Sequence, residues 1–126
     1  NEKASCCIIA TARDFAKFGK LYLDNGRIDS AQIIPEWYIQ ESVSPSGLLD
    51  KEDNEKVHFY GYQWWMGNYK NLDYFYARGI LGQYIICVPE KDLIIVRLGH
   101  KRSKERNNKH PNDFFIWLDA GLEIGK

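Results

Sequence analysis

The sequence predicts an α+β fold of the α/β sandwich type: an antiparallel meander of three to four strands covered by helices. Three observations carry this. First, Leu72–Ala77, Gln83–Val88 and Leu93–Leu98 are runs rich in aromatic and β-branched residues, separated by Gly79 and Gly82 at one break and Pro89–Asp92 at the other. Second, the strands are apolar at successive positions, as in Ile85, Ile86, Cys87 and Val88, which suits a sheet covered on both faces. Third, both flanks carry helical stripes. A chain of 126 residues is one domain's worth. Its helical part covers about 1–45, the meander about 58–99 and a C-terminal helix, packed on the sheet, about 111–123.

The elements follow in order. Cys6–Ala10 is an apolar lead-in expected to be buried. A helix is predicted from Ala12 to Asn25, with Thr11 as N-cap, Asp14 returning its hydrogen bond, and Phe15, Phe18 and Tyr22 as its stripe. Asn25 and Gly26 stop it. Ile33–Ile39 reads as a second, shorter helix with Pro35 in its first turn. Ser42–Lys56 is polar and reads as a surface loop, an excursion over a cleft. His58–Met66 is strand-like, with Gly61 inside it and Gly67 and Asn68 at its end. The meander then runs through a type I turn at Pro89–Asp92. A basic loop, His100–Lys109, leads to Pro111, which opens the last helix with its stripe of Phe114, Trp117, Leu118 and Leu122.

Composition narrows the function. Lys plus Arg and Asp plus Glu are 17 each, so no net field draws nucleic acid or an anionic membrane. No apolar run is long enough for a membrane span. Cys6, Cys7 and Cys87 show no zinc spacing, and His58, His100 and His110 are far apart, so no metal or other cofactor is expected. The redox compartment stays open. Ser42, Ser44 and Ser46 lie in the loop without a Gly-x-Ser-x-Gly elbow or a Ser-x-x-Lys pair, so none is a credible nucleophile.

Two features carry both a plain and a functional reading. Gly79–Gly82 is a hairpin loop, or a place where Gly79 lets a substrate approach the strand backbone. The cluster Phe59–Trp65 is core, or its alternate members edge a pocket, with Gln63 beside Trp64 and Trp65.

Several blocks in order then resemble a known family. They are Thr11–Gly26, Ile33–Trp37, Tyr60–Trp65, Ala77–Gln83 and Val88–Gly99. Over nearly the whole chain they resemble the C-terminal portion of serine hydrolases of the class C β-lactamase and penicillin-binding-protein type. That group includes esterases, D-aminopeptidases and amide-oligomer hydrolases. The resemblance implies a partial β-lactamase-like fold with its site at a strand edge, and a periplasmic or secreted location. Three motifs build that site: Ser-x-x-Lys, a Tyr or Ser followed by an Asn, and Lys-Thr-Gly or a variant. Ala77, Arg78 and Gly79 stand in the place of the third.

The resemblance further implies that Gly79 and Ile80 form the oxyanion-hole side, the Ile80 backbone N–H being the donor. Arg78, Gln63, Trp64 and Gln83 are the implied substrate-binding residues, Arg78 being suited to an anion. Ser-x-x-Lys does not occur in this sequence, and in the family both it and the Tyr-x-Asn element lie upstream of the region matched here. The expected partner is therefore an N-terminal half bearing the nucleophile, the parent acting on a small ester or amide. The chain alone is expected to be inactive. The strand over 92–98 would lose neighbours, so self-association through that edge is expected. The competing reading is a non-catalytic binding domain that uses a Trp64/Trp65 surface.

Overall fold

The structure is a computed structural model and describes residues 8–125. Helix α1 (Ala12–Leu23) starts as expected: Thr11 Oγ1 accepts from the Asp14 N–H at 3.2 Å and the Asp14 carboxylate accepts from the Thr11 N–H at 3.4 Å. It ends two residues before Asn25, which is left-handed (φ 52°), as is Gly26 (φ 82°). A hairpin that the composition did not announce follows, β1 (Arg27–Ile28) with β2 (Ala31–Gln32). Helix α2 is Glu36–Ser42, shifted from the expected Ile33–Ile39. The cause is twofold. Ile33 and Ile34 both donate their N–H groups to Gly26 O, and the residue before Pro35 is disfavoured in the helical region.

The central sheet has four antiparallel strands in sequential order: β3 (Trp65–Tyr69), β4 (Leu72–Arg78), β5 (Tyr84–Val88) and β6 (Leu93–Arg97). The strand expected over His58–Met66 begins only at Trp65, and it continues through Gly67 and Asn68 rather than stopping there. Residues 58–64 spend their backbone groups elsewhere: Tyr62 N–H donates to Ser42 O, Gly61 N–H to Trp64 O, and Gln63 is left-handed (φ 66°). The β3–β4 turn is Lys70–Asn71, both left-handed, as a two-residue hairpin turn requires. Pro89–Lys91 is a 3-10 turn closed by left-handed Asp92.

Every residue of β5 is buried, so the sheet is covered on both faces. Beneath one face, Tyr22 of α1 and Ile39 of α2 pack with Trp64, Met66, Phe75, Ile85 and Cys87. Gly19 lets α1 approach closely; a Cβ there would lie 3.1 Å from Cys87 Sγ and from Ile85. Burial pushes the Cys87 thiol up to about 12, which leaves it inert. On the other face Tyr74, Tyr76, Tyr84, Ile86 and Val88 pack against Phe114 and Leu118 of the last helix. That helix, α3 (Asn112–Ile124), follows a hairpin of β7 (Arg106–Asn107) and β8 (His110–Pro111) that begins in the basic loop.

The apolar lead-in is not buried where it is described: Ile8 and Ile9 are 79% and 99% exposed, while Cys6 and Cys7 lie outside the described residues. Among the described residues no helix is long and apolar enough to cross a membrane.

Candidate active site

The turn after β4 is closed by its own backbone. Gly79 N–H donates to Gln83 O at 2.8 Å and Gly82 N–H to Gly79 O at 3.2 Å. The Leu81 N–H donates to Gln83 Oε1 at 3.0 Å. The Ile80 N–H makes no hydrogen bond among the described residues, and the Ile80 side chain is 78% exposed. One backbone donor just past the strand end is thus left for a ligand or water to satisfy. The plain reading of Gly79 also has a physical basis, since a Cβ there would collide with the Gln83 amide that completes the turn. Gly82 is left-handed, at φ 81°.

Arg78 is held beside this turn without an acid. Its guanidinium lies 3.4 Å from the Trp65 ring centroid and donates to Lys109 O at 3.2 Å. Among the described residues it forms no salt bridge. Burial lowers its pKa, with Tyr76 opposing and Arg102 and Arg106 adding to the fall. Arg102 stacks its own Cβ near the turn, 3.1 Å from where a Gly82 Cβ would be. An arginine remains charged in such surroundings, so the strand end carries a positive, half-buried edge suited to an anion.

Two residues that spacing did not single out hold the turn from behind. Arg97 donates to Gly82 O at 2.7 Å, to Asp113 Oδ2 at 3.2 Å and to Lys101 O at 2.9 Å. Asp113 in turn accepts from the Ser103 N–H and from Tyr84 Oη. The one available signal was an arginine ending an apolar strand, which a half-buried sheet tolerates only when its charge is paired. A second buried pair lies under Arg78: His110 Nδ1 is 2.9 Å from Tyr76 Oη. Burial, with Arg78 adding to it, pushes the His110 imidazole down to about 4.

Of the site residues expected from sequence, Arg78, Gly79, Ile80 and Gln83 come together. Gln63 is exposed and accepts from Tyr60 Oη at 3.3 Å; Tyr60 then packs on Trp65, so Gln63 reaches the site only through an aromatic stack. Trp64 does not. It is 3% exposed, 4.5 Å from the Tyr22 ring and edge-on to Phe75. Trp64, just before β3, packs under α1, whereas Trp65 packs against the other face of the sheet. This corrects the expectation of Trp64 as a substrate-binding residue. It also removes the Trp64/Trp65 surface of the binding-domain reading, because Trp65 is itself covered by Phe59, Tyr60 and Arg78.

No family model matches the sequence, and no curated protein matches it significantly. Among solved structures, the chain is similar to one described as "Putative 6-aminohexanoate-dimer hydrolase from Bacillus anthracis", with 25% identity and a TM-score of 0.63. The match covers 92% of this chain and 28% of that one. The chain is therefore structurally similar to a hydrolase over nearly its whole length while spanning little more than a quarter of it, and its architecture is part of a β-lactamase-like fold.

Proposed function

We infer that this chain supplies one wall of a serine-hydrolase site, the parent protein cleaving an ester or amide by acyl transfer. The observation that carries this is the Ile80 N–H, unpaired and exposed at the end of β4, beside an arginine without an acid. In such a site an upstream serine attacks the carbonyl. The Ile80 N–H donates a hydrogen bond to the developing oxyanion, and Arg78 holds an anionic group of the substrate. The likeness to a hydrolase and the absence of Ser-x-x-Lys from this sequence support the assignment of the nucleophile to residues outside it.

The isolated chain is expected to leave a p-nitrophenyl ester or a chromogenic β-lactam unhydrolysed above the buffer rate. Turnover that survives purification to homogeneity would refute the reading.

The same reading accounts for β6 as a sheet edge. Its one ladder partner among the described residues is β5, and Leu93–Val96 are only half-buried. An unpaired apolar edge recruits another strand. Small-angle scattering of the isolated chain is expected to show dimers or larger species at tens of micromolar. A monodisperse monomer at that concentration would count against this edge as an association site.

A further inference from the structure

The loop expected from composition over Ser42–Lys56 is not shapeless. Within it, Val57 N–H donates to Leu48 O at 2.8 Å, Asp50 N–H to Glu55 O at 2.8 Å and Asn54 N–H to Asp50 O at 2.9 Å. Leu49 and Lys56 form a β-bridge. At the tip, the Asp50 and Asp53 carboxylates accept from the Glu52 and Glu55 N–H groups, both at 3.0 Å. Residues 48–57 are therefore bonded to one another as a unit.

Little apolar contact ties that unit down. Leu48 and Leu49 are 69% and 56% exposed. Gly47 precedes it with φ 70°, and a Cβ there would meet nothing within 4 Å, so the chain has both freedom and room to pivot. What fastens the unit is Lys109. Its Nζ lies 2.9 Å from Asp50 Oδ2, within bonding distance of Glu52 and 3.9 Å from Asp53. One cation thus holds three carboxylates that would otherwise repel one another.

Lys109 stands in a strained place to do so. It and Asn108 are both left-handed (φ 71° and 47°) in the turn between β7 and β8, and its carbonyl accepts from Arg78. The neck of the unit, His58 and Phe59, and the latch, Lys109, line a cleft of about 480 Å³ together with Tyr69, Tyr74 and His110.

We propose that residues 48–57 are an electrostatic strap joined to the wall of this cleft, closed while Lys109 grips Asp50, Glu52 and Asp53 and swinging about Gly47 when that grip is released. The strap is independent of the hydrolase assignment. It needs only the acids, the lysine and the hinge. Because the latch is partly exposed, salt weakens it and the strap opens more often at high ionic strength.

Trypsin cleavage at Lys51 and Lys56, followed site by site by mass spectrometry on the full 126-residue chain, reads the opening. Lys109→Met is expected to speed cleavage at both sites about threefold to tenfold, the range that two or three partly exposed ion pairs give. Lys109→Arg is expected to restore the wild-type rate. Raising salt to 1 M is expected to speed cleavage of the wild type, measured against a free peptide of the same sites, and to leave Lys109→Met unchanged. Should Lys109→Met lose its melting transition, the triple change Asp50→Asn, Glu52→Gln and Asp53→Asn makes the same test from the exposed side. Cleavage of the triple variant at the wild-type rate, or equal cleavage of wild type and a folded Lys109→Met, would overturn the strap.

Discussion

Replacing Ile80 with proline in the nucleophile-bearing parent proposed above is expected to lower acyl transfer by about a hundredfold to a thousandfold, the loss that accompanies removal of one oxyanion donor. Proline deletes an N–H that bonds nothing among the described residues, and Ile80 is 78% exposed, so no packed side chain is lost. The effect belongs in kcat rather than KM, since the charge it stabilises exists only in the transition state. Ile80→Ala is the control: it keeps the N–H and should stay within about threefold of wild type, as an exposed substitution usually does. The melting temperature and far-UV spectrum establish that the turn survives in both variants. A folded Ile80→Pro enzyme with near-normal kcat would remove Ile80 from the site.

The second large effect is on stability against pH. His110 is 4% exposed, bonded to Tyr76 and packed 5.8 Å from the Phe114 ring centroid, with its pKa pushed down to about 4 from an ordinary 6.5. In the unfolded chain the imidazole takes up a proton below about 6.5; in the folded chain it resists until about 4. The unfolded state therefore binds more protons between these values, and its stability rises relative to the fold as pH drops. Unfolding free energy is expected to be complete above pH 6.5 and to fall by about 3 kcal/mol on the way to pH 4, then to level off for this group. Carboxylates titrate in the lower part of the same window, so the measurement is a difference. Urea midpoints of wild type and His110→Gln are compared at pH 7.5, 5.5 and 4. The gap between them should close as the pH falls; a gap of constant size would show that His110 is not held neutral by the fold.

These effects meet at one end of the sheet. The turn after β4 is clamped from behind by Arg97 and Asp113 and flanked by Arg78, which rests on Trp65 and on the Lys109 carbonyl. Lys109 in turn carries the strap. A change at the 48–57 unit can thus reach Arg78 through a single residue, by way of contacts that are all on one surface.

Much of this was legible in the residue order. The capping box at Thr11 and Asp14, the three runs of the meander, the glycine turn and the start of α3 near Pro111 are all set by contacts within a few residues, and local spacing reports such contacts directly. The glycine break placed a turn at Gly79–Gly82, and the structure has it there, closed by Gln83 and directly after Arg78, the last residue of β4. The aromatic run Phe59–Trp65 misled, because strand composition is shared by any half-buried segment, and its backbone was claimed by Ser42 and by its own tight turn.

By itself the sequence determined the α+β class, the order of strands and the position of the turn, since each rests on periodicity or on a residue's own backbone limits. Only the tertiary structure decided that Trp64 faces the core while Trp65 backs Arg78. It alone decided that Arg97 meets Asp113, and that Lys109 meets acids 56–59 positions away. The reason is physical: which face a strand residue takes, and which charge finds which partner, depends on elements brought together by folding, and no spacing along the chain records that distance.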